Sequence, residues 1–305
     1  MAENVLILDG GMGRELARIG APFRQPEWSA LALMTSPQHV RQVHDSFIAA
    51  GAQVITTNSY AVVPFHIGED VFSARGRELA ELAELAGKLA REAADAAGAP
   101  VRVAGSLPPA LGSYRPDLFK PDAAAPILRV LIDALSPYLD VWLAETQGSL
   151  AEVALVRELL ADDTRELWLS FTLQDETDQQ GLARLRSGET VAAAAQSAIR
   201  LGASSLLFNC SRPEVMAPAV KQAKSVLQPQ QSAMRIGVYA NAFEPEDNRR
   251  GANEGLSRLR TDTHPAGYLK LAEEWVAQGA TMVGGCCGIG PEHIAYLARS
   301  FGNQA

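Results

Sequence analysis

Residues 36–59 read SPQHVRQVHDSFIAAGAQVITTNS, and this stretch predicts a helix followed by a strand. The first part opens on Ser36 as a cap with Pro37 in the first turn, carries apolar residues at helical spacing and stops at Gly51. AQVITTNS (52–59) then forms a short apolar run that ends on polar residues. The pairing recurs along the chain. NVLILDGG (4–11), VRVAGSLP (101–108), DVWLAET (140–146), ELWLSFTL (166–173), SSLLFNC (204–210), MRIGVYAN (234–241) and TMVGGCCG (281–288) are similar runs. Near-continuous apolar strands of this kind belong to a parallel sheet covered on both faces. Helical stretches lie between them, most clearly ELAELAELAGKLAREAADAAG (78–98) and GYLKLAEEWVAQG (267–279), the latter closing on Gly279. Eight strands alternating with helices predict an α/β fold, a (β/α)8 TIM barrel, which typically takes about 250 residues plus insertions. An open doubly wound sheet would show a similar rhythm. The count of eight and the absence of any compositional shift favour one barrel domain over residues 1–305.

Composition narrows the function. A formal net charge of −8 argues against nucleic acid or an anionic membrane as partner, since either favours a basic face. The N-terminal MAENVLILDGGMG lacks the basic region and long apolar run of a signal peptide, and no apolar stretch nears the ~20 residues of a membrane helix. Three cysteines in a long chain do not read as a disulfide framework. A cytoplasmic protein is expected.

Unusual residues gather at the C-terminal ends of the strands, where barrels of this kind build their sites. They are Asp9-Gly10-Gly11, Thr56-Thr57-Asn58, Gly105-Ser106, Glu145-Thr146, Asn209-Cys210, Tyr239-Ala240-Asn241 and Cys286-Cys287. Adjacent strand residues point to opposite faces, so Cys286 and Cys287 reach one point only if the strand breaks its alternation; Gly284, Gly285 and Gly288 permit that. Cys210, two strands away, completes a three-sulfur set. Three thiolates with one open position make a catalytic zinc arrangement, and no fourth protein ligand is evident. The five histidines lack ligand spacing, and His293 is expected in the last helix. Two other readings of the cysteines stand beside zinc: buried core thiols, and a vicinal redox pair.

DGGMG, ITTNSY, the ET after the fourth strand, the NC after the sixth and GGCCG after the eighth together resemble the homocysteine S-methyltransferase family, from about residue 5 to residue 300. The resemblance implies a (β/α)8 barrel that binds Zn2+ through Cys210, Cys286 and Cys287 and makes methionine from homocysteine. It adds Trp28 to the candidate site, since the family carries a tryptophan in this loop. A donor whose methyl leaves a cationic centre, such as S-methylmethionine or another small onium, suits a thiolate nucleophile. Trp28 and Tyr60 follow the first two strands and are placed to face that cation. The backbone N–H groups of Asp9-Gly10-Gly11 are expected to hold the substrate carboxylate, with Thr57 nearby, while Glu145 and Asp9 meet the ammonium. Relatives that use S-methylmethionine carry YPNSGE after the seventh strand, where this chain has VYANAFEPEDNRRGANEG (238–255). The stretch 244–266 is long for its place and reads as a lid or a surface loop. The chain ends soon after the eighth helix, so a self-contained transferase is expected rather than a cobalamin-dependent synthase. A selenol or other small-thiol methyltransferase, and a non-catalytic metal or redox sensor, are the alternatives.

Overall fold

The computed structural model describes residues 5–68, 76–244 and 258–302. Its strands are β1 Leu6–Ile7, β2 Val54–Thr56, β3 Arg102–Leu107, β4 Val141–Gln147, β5 Glu166–Phe171, β6 Ser205–Asn209, β7 Arg235–Tyr239 and β8 Met282–Val283. Seven lie within the apolar runs, and β4 passes the end of its run by one residue, Gln147. They pair in parallel in the order β1-β8-β7-β6-β5-β4-β3-β2, and a parallel bridge from Leu8 to Val54 joins the two ends. Gln53 strengthens that seam. Its N–H donates to the Ile7 carbonyl at 2.8 Å, and its side-chain oxygen accepts the Ile7 N–H at 3.0 Å. The sheet is a nearly closed (β/α)8 barrel, and the open-sheet alternative is excluded.

Outside it pack α1 Pro37–Ala49, α2 Gly76–Asp95, α3 Pro121–Leu135, α4 Leu150–Leu159, α5 Val191–Arg200, α6 Met216–Leu227, α7 Pro265–Gln278 and α8 Pro291–Phe301. Two short helices, Met12–Arg18 and Ser29–Thr35, occupy the connection from β1 to α1. Gly51 and Gly279 follow their helices at φ of +103° and +122°, the left-handed geometry that the sequence pattern implied. Ser36 does precede α1, but its hydroxyl meets the His39 ring at 2.5 Å and gives no side-chain cap to the backbone. Among the described residues no helix is long and apolar enough to cross a membrane.

Strand alternation divides the core in two. Along β4, Val141 and Leu143 face the barrel interior with Leu8, Val54, Ala104, Trp168, Leu207 and Met282, while Trp142 and Ala144 face the helices. Both faces are therefore apolar, which is why the runs lack a polar alternation. The lower end of the barrel is closed by Arg102, paired with Glu166 at 2.8 Å and stacked over the Trp168 ring. The upper end, beyond the strands' C-termini, carries polar residues, among them Asp9, Thr57, Asn58, Glu145, Thr146 and Asn209.

Candidate active site

The regular part of β8 stops at Val283, three residues before the first of the paired cysteines. Cys286 then opens a tight turn: its carbonyl accepts the Ile289 N–H at 3.0 Å, with Gly288 at φ +87° in the position that needs a left-handed residue. The turn frees Cys286 and Cys287 from strand alternation. Cys210, at φ +49°, turns the same way at the end of β6. The three sulfurs meet, all within 4.8 Å of one another, with Cys210 and Cys287 3.9 Å apart. Tetrahedral zinc with Zn–S bonds of ~2.3 Å separates its sulfurs by about 3.8 Å, so the donor set fits a metal of that kind. Hydrogen bonds from Cys210 and Cys286 hold the Cys287 thiol well below the usual thiol range, and the positive charge of Arg14 acts in the same direction.

Gly10 and Gly11, beside this turn, also have a role in packing. A Cβ on Gly10 would stand 2.3 Å from the Ile289 carbonyl oxygen, and one on Gly11 2.4 Å from that of Cys286. The β1 loop thus lies directly on the cysteine turn, and only glycine allows that approach. The Gly11 N–H is given to the Ile289 oxygen at 2.9 Å and is already committed within the fold. From outside, Tyr268 of α7 wedges its hydroxyl between β7 and β8, accepting the Ala240 N–H at 3.1 Å and donating to the Gly284 carbonyl at 2.8 Å. His293 lies in the last helix as expected, and its ring is occupied by the Gly290 N–H and the Thr263 carbonyl.

Two carboxyl groups share the barrel mouth with the sulfurs. Asp9 accepts the Thr56 N–H at 2.7 Å and its hydroxyl at 3.3 Å. Burial pushes its pKa up to about 8 despite the Thr56 amide, and the neighbouring Glu145 adds to the rise. Glu145 accepts the Ser106 hydroxyl at 2.5 Å, and burial, with Cys210 nearby, raises it to about 7. Burial therefore favours the neutral form of both carboxyls in the absence of a cationic partner. Thr57 is buried next to this pair. Its hydroxyl takes the Ser106 N–H at 3.0 Å and contacts Ser59 at 2.8 Å, and so it supports the strand that presents Ser106 to Glu145.

Further residues complete the ring: Tyr60, Trp28, Thr146, Asn209 and Tyr239, which the sequence singled out, and Ser113, His66, Tyr114 and Ser170, which it did not. The Tyr60 hydroxyl donates to Ser113 at 2.8 Å, and His66 reaches from Ser113 to the Pro26 carbonyl. Tyr114 places its hydroxyl 2.8 Å from the Cys210 sulfur. Asn209 donates to Thr146 at 2.7 Å and accepts from Ser170 at 2.7 Å. The Tyr239 hydroxyl, on a side chain of the interior layer, makes no hydrogen bond of good geometry, though Glu145 and Ser170 are close enough to affect its ionisation and it affects that of Glu145 in turn. Trp28 is half-buried with its ring edge-on to Phe23 at 5.8 Å, in the β1 loop that Asn58 ties down through the Ser29 carbonyl.

Among the described residues five non-glycine positions take positive φ, and Trp28, Tyr114, Thr146 and Cys210 are four of them. All four lie at the mouth, past β1, β3 and β6 or within the irregular end of β4, where the register shifts between Ala144 and Gln147. Left-handed backbone at a non-glycine residue costs about 1–3 kcal/mol, and such strain gathers at functional sites. At the base of the 244–266 stretch, Phe243 bridges Leu259, and Arg14 stacks on the Phe243 ring. Its residues 245–257, which would form the lid, lie outside the described residues.

Residues 6–301 match the family model described as homocysteine S-methyltransferase. A homocysteine S-methyltransferase of Escherichia coli K12 is 31% identical, the alignment covering 98% of this chain and 96% of that protein. A selenocysteine methyltransferase of Astragalus bisulcatus is 25% identical, over 96% and 91% of the two chains. The crystal structure of the homocysteine methyltransferase MmuM of Escherichia coli in its metallated form superposes with a TM-score of 0.76 at 28% identity, covering 97% of this chain and 96% of that one.

Proposed function

Because the chain belongs to the homocysteine S-methyltransferase family, we propose that it transfers a methyl group from a small onium donor to the thiol of homocysteine, giving methionine, at a zinc ion held by Cys210, Cys286 and Cys287. The observation that carries this reading is the meeting of three sulfurs within 4.8 Å at a mouth shared with Asp9 and Glu145. A sensor would need the sulfurs alone. A bound zinc ion would keep a substrate thiol deprotonated near neutral pH. Asp9 and Glu145 would take the substrate ammonium, fixing the amino-acid end so that its sulfur lies towards the cysteines. The carboxylate would lie along the Asp9-Gly10-Gly11 loop beside Thr57, without the Gly11 N–H, which the Ile289 carbonyl holds. The substrate sulfur forms a bond to the methyl carbon as the bond to the donor's cationic sulfur or nitrogen breaks. That electron pair stays with the donor, which leaves neutral. The reaction belongs in the cytoplasm, where thiols stay reduced.

Incubating the purified protein with homocysteine and, in turn, S-methylmethionine, other sulfonium compounds and quaternary ammonium compounds, and measuring methionine, tests the reading. No methionine with any donor would reject it. The similarity to a selenocysteine methyltransferase supports a second acceptor, a selenol, so selenocysteine belongs in the same panel.

Trp28, with Tyr60, is assigned to the aromatic wall for the donor's cation. Trp28→Ala is expected to raise the donor KM about 2- to 30-fold, from a cation–π contact of about 0.5–2 kcal/mol. Homocysteine KM and zinc content should stay unchanged. A stable variant with unaltered donor KM would remove Trp28 from the site, and a large fall in Tm that hurts both substrates would make it a packing residue.

A further inference from the structure

We propose that Tyr114 is a positioning residue of the metal centre: its phenol holds the Cys210 sulfur and stabilises the charge that metal binding places there. The inference rests on the three-cysteine metal reading above. Four features converge on it. The hydroxyl lies 2.8 Å from the sulfur, a short and direct contact. Both partners are held in left-handed backbone, Tyr114 at φ +61° and Cys210 at φ +49°, a pairing that persists only where the surroundings over-determine it. The ring is backed by Arg186, whose guanidinium carbon is 5.3 Å from its centroid. Arg186 is itself fixed by Asp175, at 3.2 and 3.3 Å, and by its own N–H on the Thr172 carbonyl at 3.0 Å. The preceding residue, Ser113, is pinned by Tyr60 at 2.8 Å. Loops after β2, β3 and β5 thus converge to place one hydroxyl on a sulfur that follows β6.

The chemistry gives that hydroxyl a definite role. A thiol and a phenol can each donate to the other, but a metal-bound thiolate only accepts, so Tyr114 becomes the donor when the site fills. A charge-assisted hydrogen bond of this kind lowers the energy of the sulfur lone pairs and aims the ligand. The guanidinium over the ring face draws density from the phenol and makes the O–H a stronger donor.

Y114F removes the one oxygen and keeps the ring. Zinc affinity by competition with a chromophoric chelator is expected to fall about tenfold or more, as for other partners of ligating side chains. With Co2+ in place of zinc, the sulfur-to-cobalt charge-transfer band should move to lower energy, which a purely structural role would not produce. R186Q should shift the band the same way to a smaller extent. Wild-type affinity and an unshifted band in Y114F would overturn the proposal; should Y114F not fold, an unshifted band in R186Q would do so. Wild-type protein that takes up neither zinc nor cobalt would instead remove the metal centre itself, and the role of Tyr114 with it.

Discussion

Replacing Cys210, Cys286 or Cys287 with alanine is expected to strip the protein of zinc and abolish methyl transfer while the barrel stays folded. Binding energies of about 10–16 kcal/mol for zinc sites, shared over four bonds, give roughly 3 kcal/mol per thiolate, or more than a hundredfold in affinity. The loss exceeds that of one bond, because two thiolates leave half the coordination sphere to water and the neighbouring sulfurs lose their common partner. The fold is insulated from it. Of the three cysteines only Cys286 packs on one of the two apolar layers, the one inside the barrel, and it does so at the layer's margin as a partly buried side chain. Metal analysis and thermal melts on each variant test this, and a full complement of zinc in the Cys286→Ala protein would sink the assignment.

The second large effect concerns the two carboxyls at the mouth. Glu145→Gln is expected to raise the homocysteine KM about 10- to 150-fold with little change in kcat, the value of a charge-assisted hydrogen bond of about 1.5–3 kcal/mol. The effect falls on KM because an ammonium held equally in ground and transition states is uniform binding. A lowered kcat with unchanged KM would refute this role. pH should act in the same way. With pKa values near 7 for Glu145 and near 8 for Asp9, both carboxyls are largely protonated in acid and cannot pair with the ammonium. Homocysteine binding should therefore strengthen as pH rises through 7–8.

Stability should run the opposite way in the ligand-free protein. The unfolded chain releases these protons near pH 4, whereas the folded chain keeps them until about 7–8, so stability falls as pH rises between those limits. Asp9→Asn removes the strained ionisation and retains an oxygen for the Thr56 N–H. It should melt above wild type at pH 8, by the equivalent of a few kcal/mol, and match it at pH 4, while binding homocysteine more weakly. A variant no more stable than wild type at pH 8 would show that Asp9 is not held against its charge.

The sequence alone determined the barrel, since apolar runs spaced by helical stretches report strand number and parallel pairing through burial on both faces. It also supplied the metal candidates: three thiols are chemically distinctive, and a fold that brings every strand end to one mouth carries Cys210 and the Cys286–Cys287 pair to the same end of the barrel. Asp9 and Glu145 were legible for the same reason, as charges at the ends of apolar strands. What the loops do, only the tertiary structure decided. Gly10 and Gly11 are glycine because another loop's carbonyls press on them, a distance of chain apart that no local pattern records. The Thr57 hydroxyl accepts the Ser106 N–H of the next strand, a contact that no local pattern records. Tyr114, Tyr268 and Arg186 are unremarkable as residue types, and their roles arise from contacts across many strands' length of sequence. The left-handed backbone at Trp28, Tyr114, Thr146 and Cys210 is likewise invisible in the chain, because local preference disfavours it and only the packing of the finished barrel holds it there.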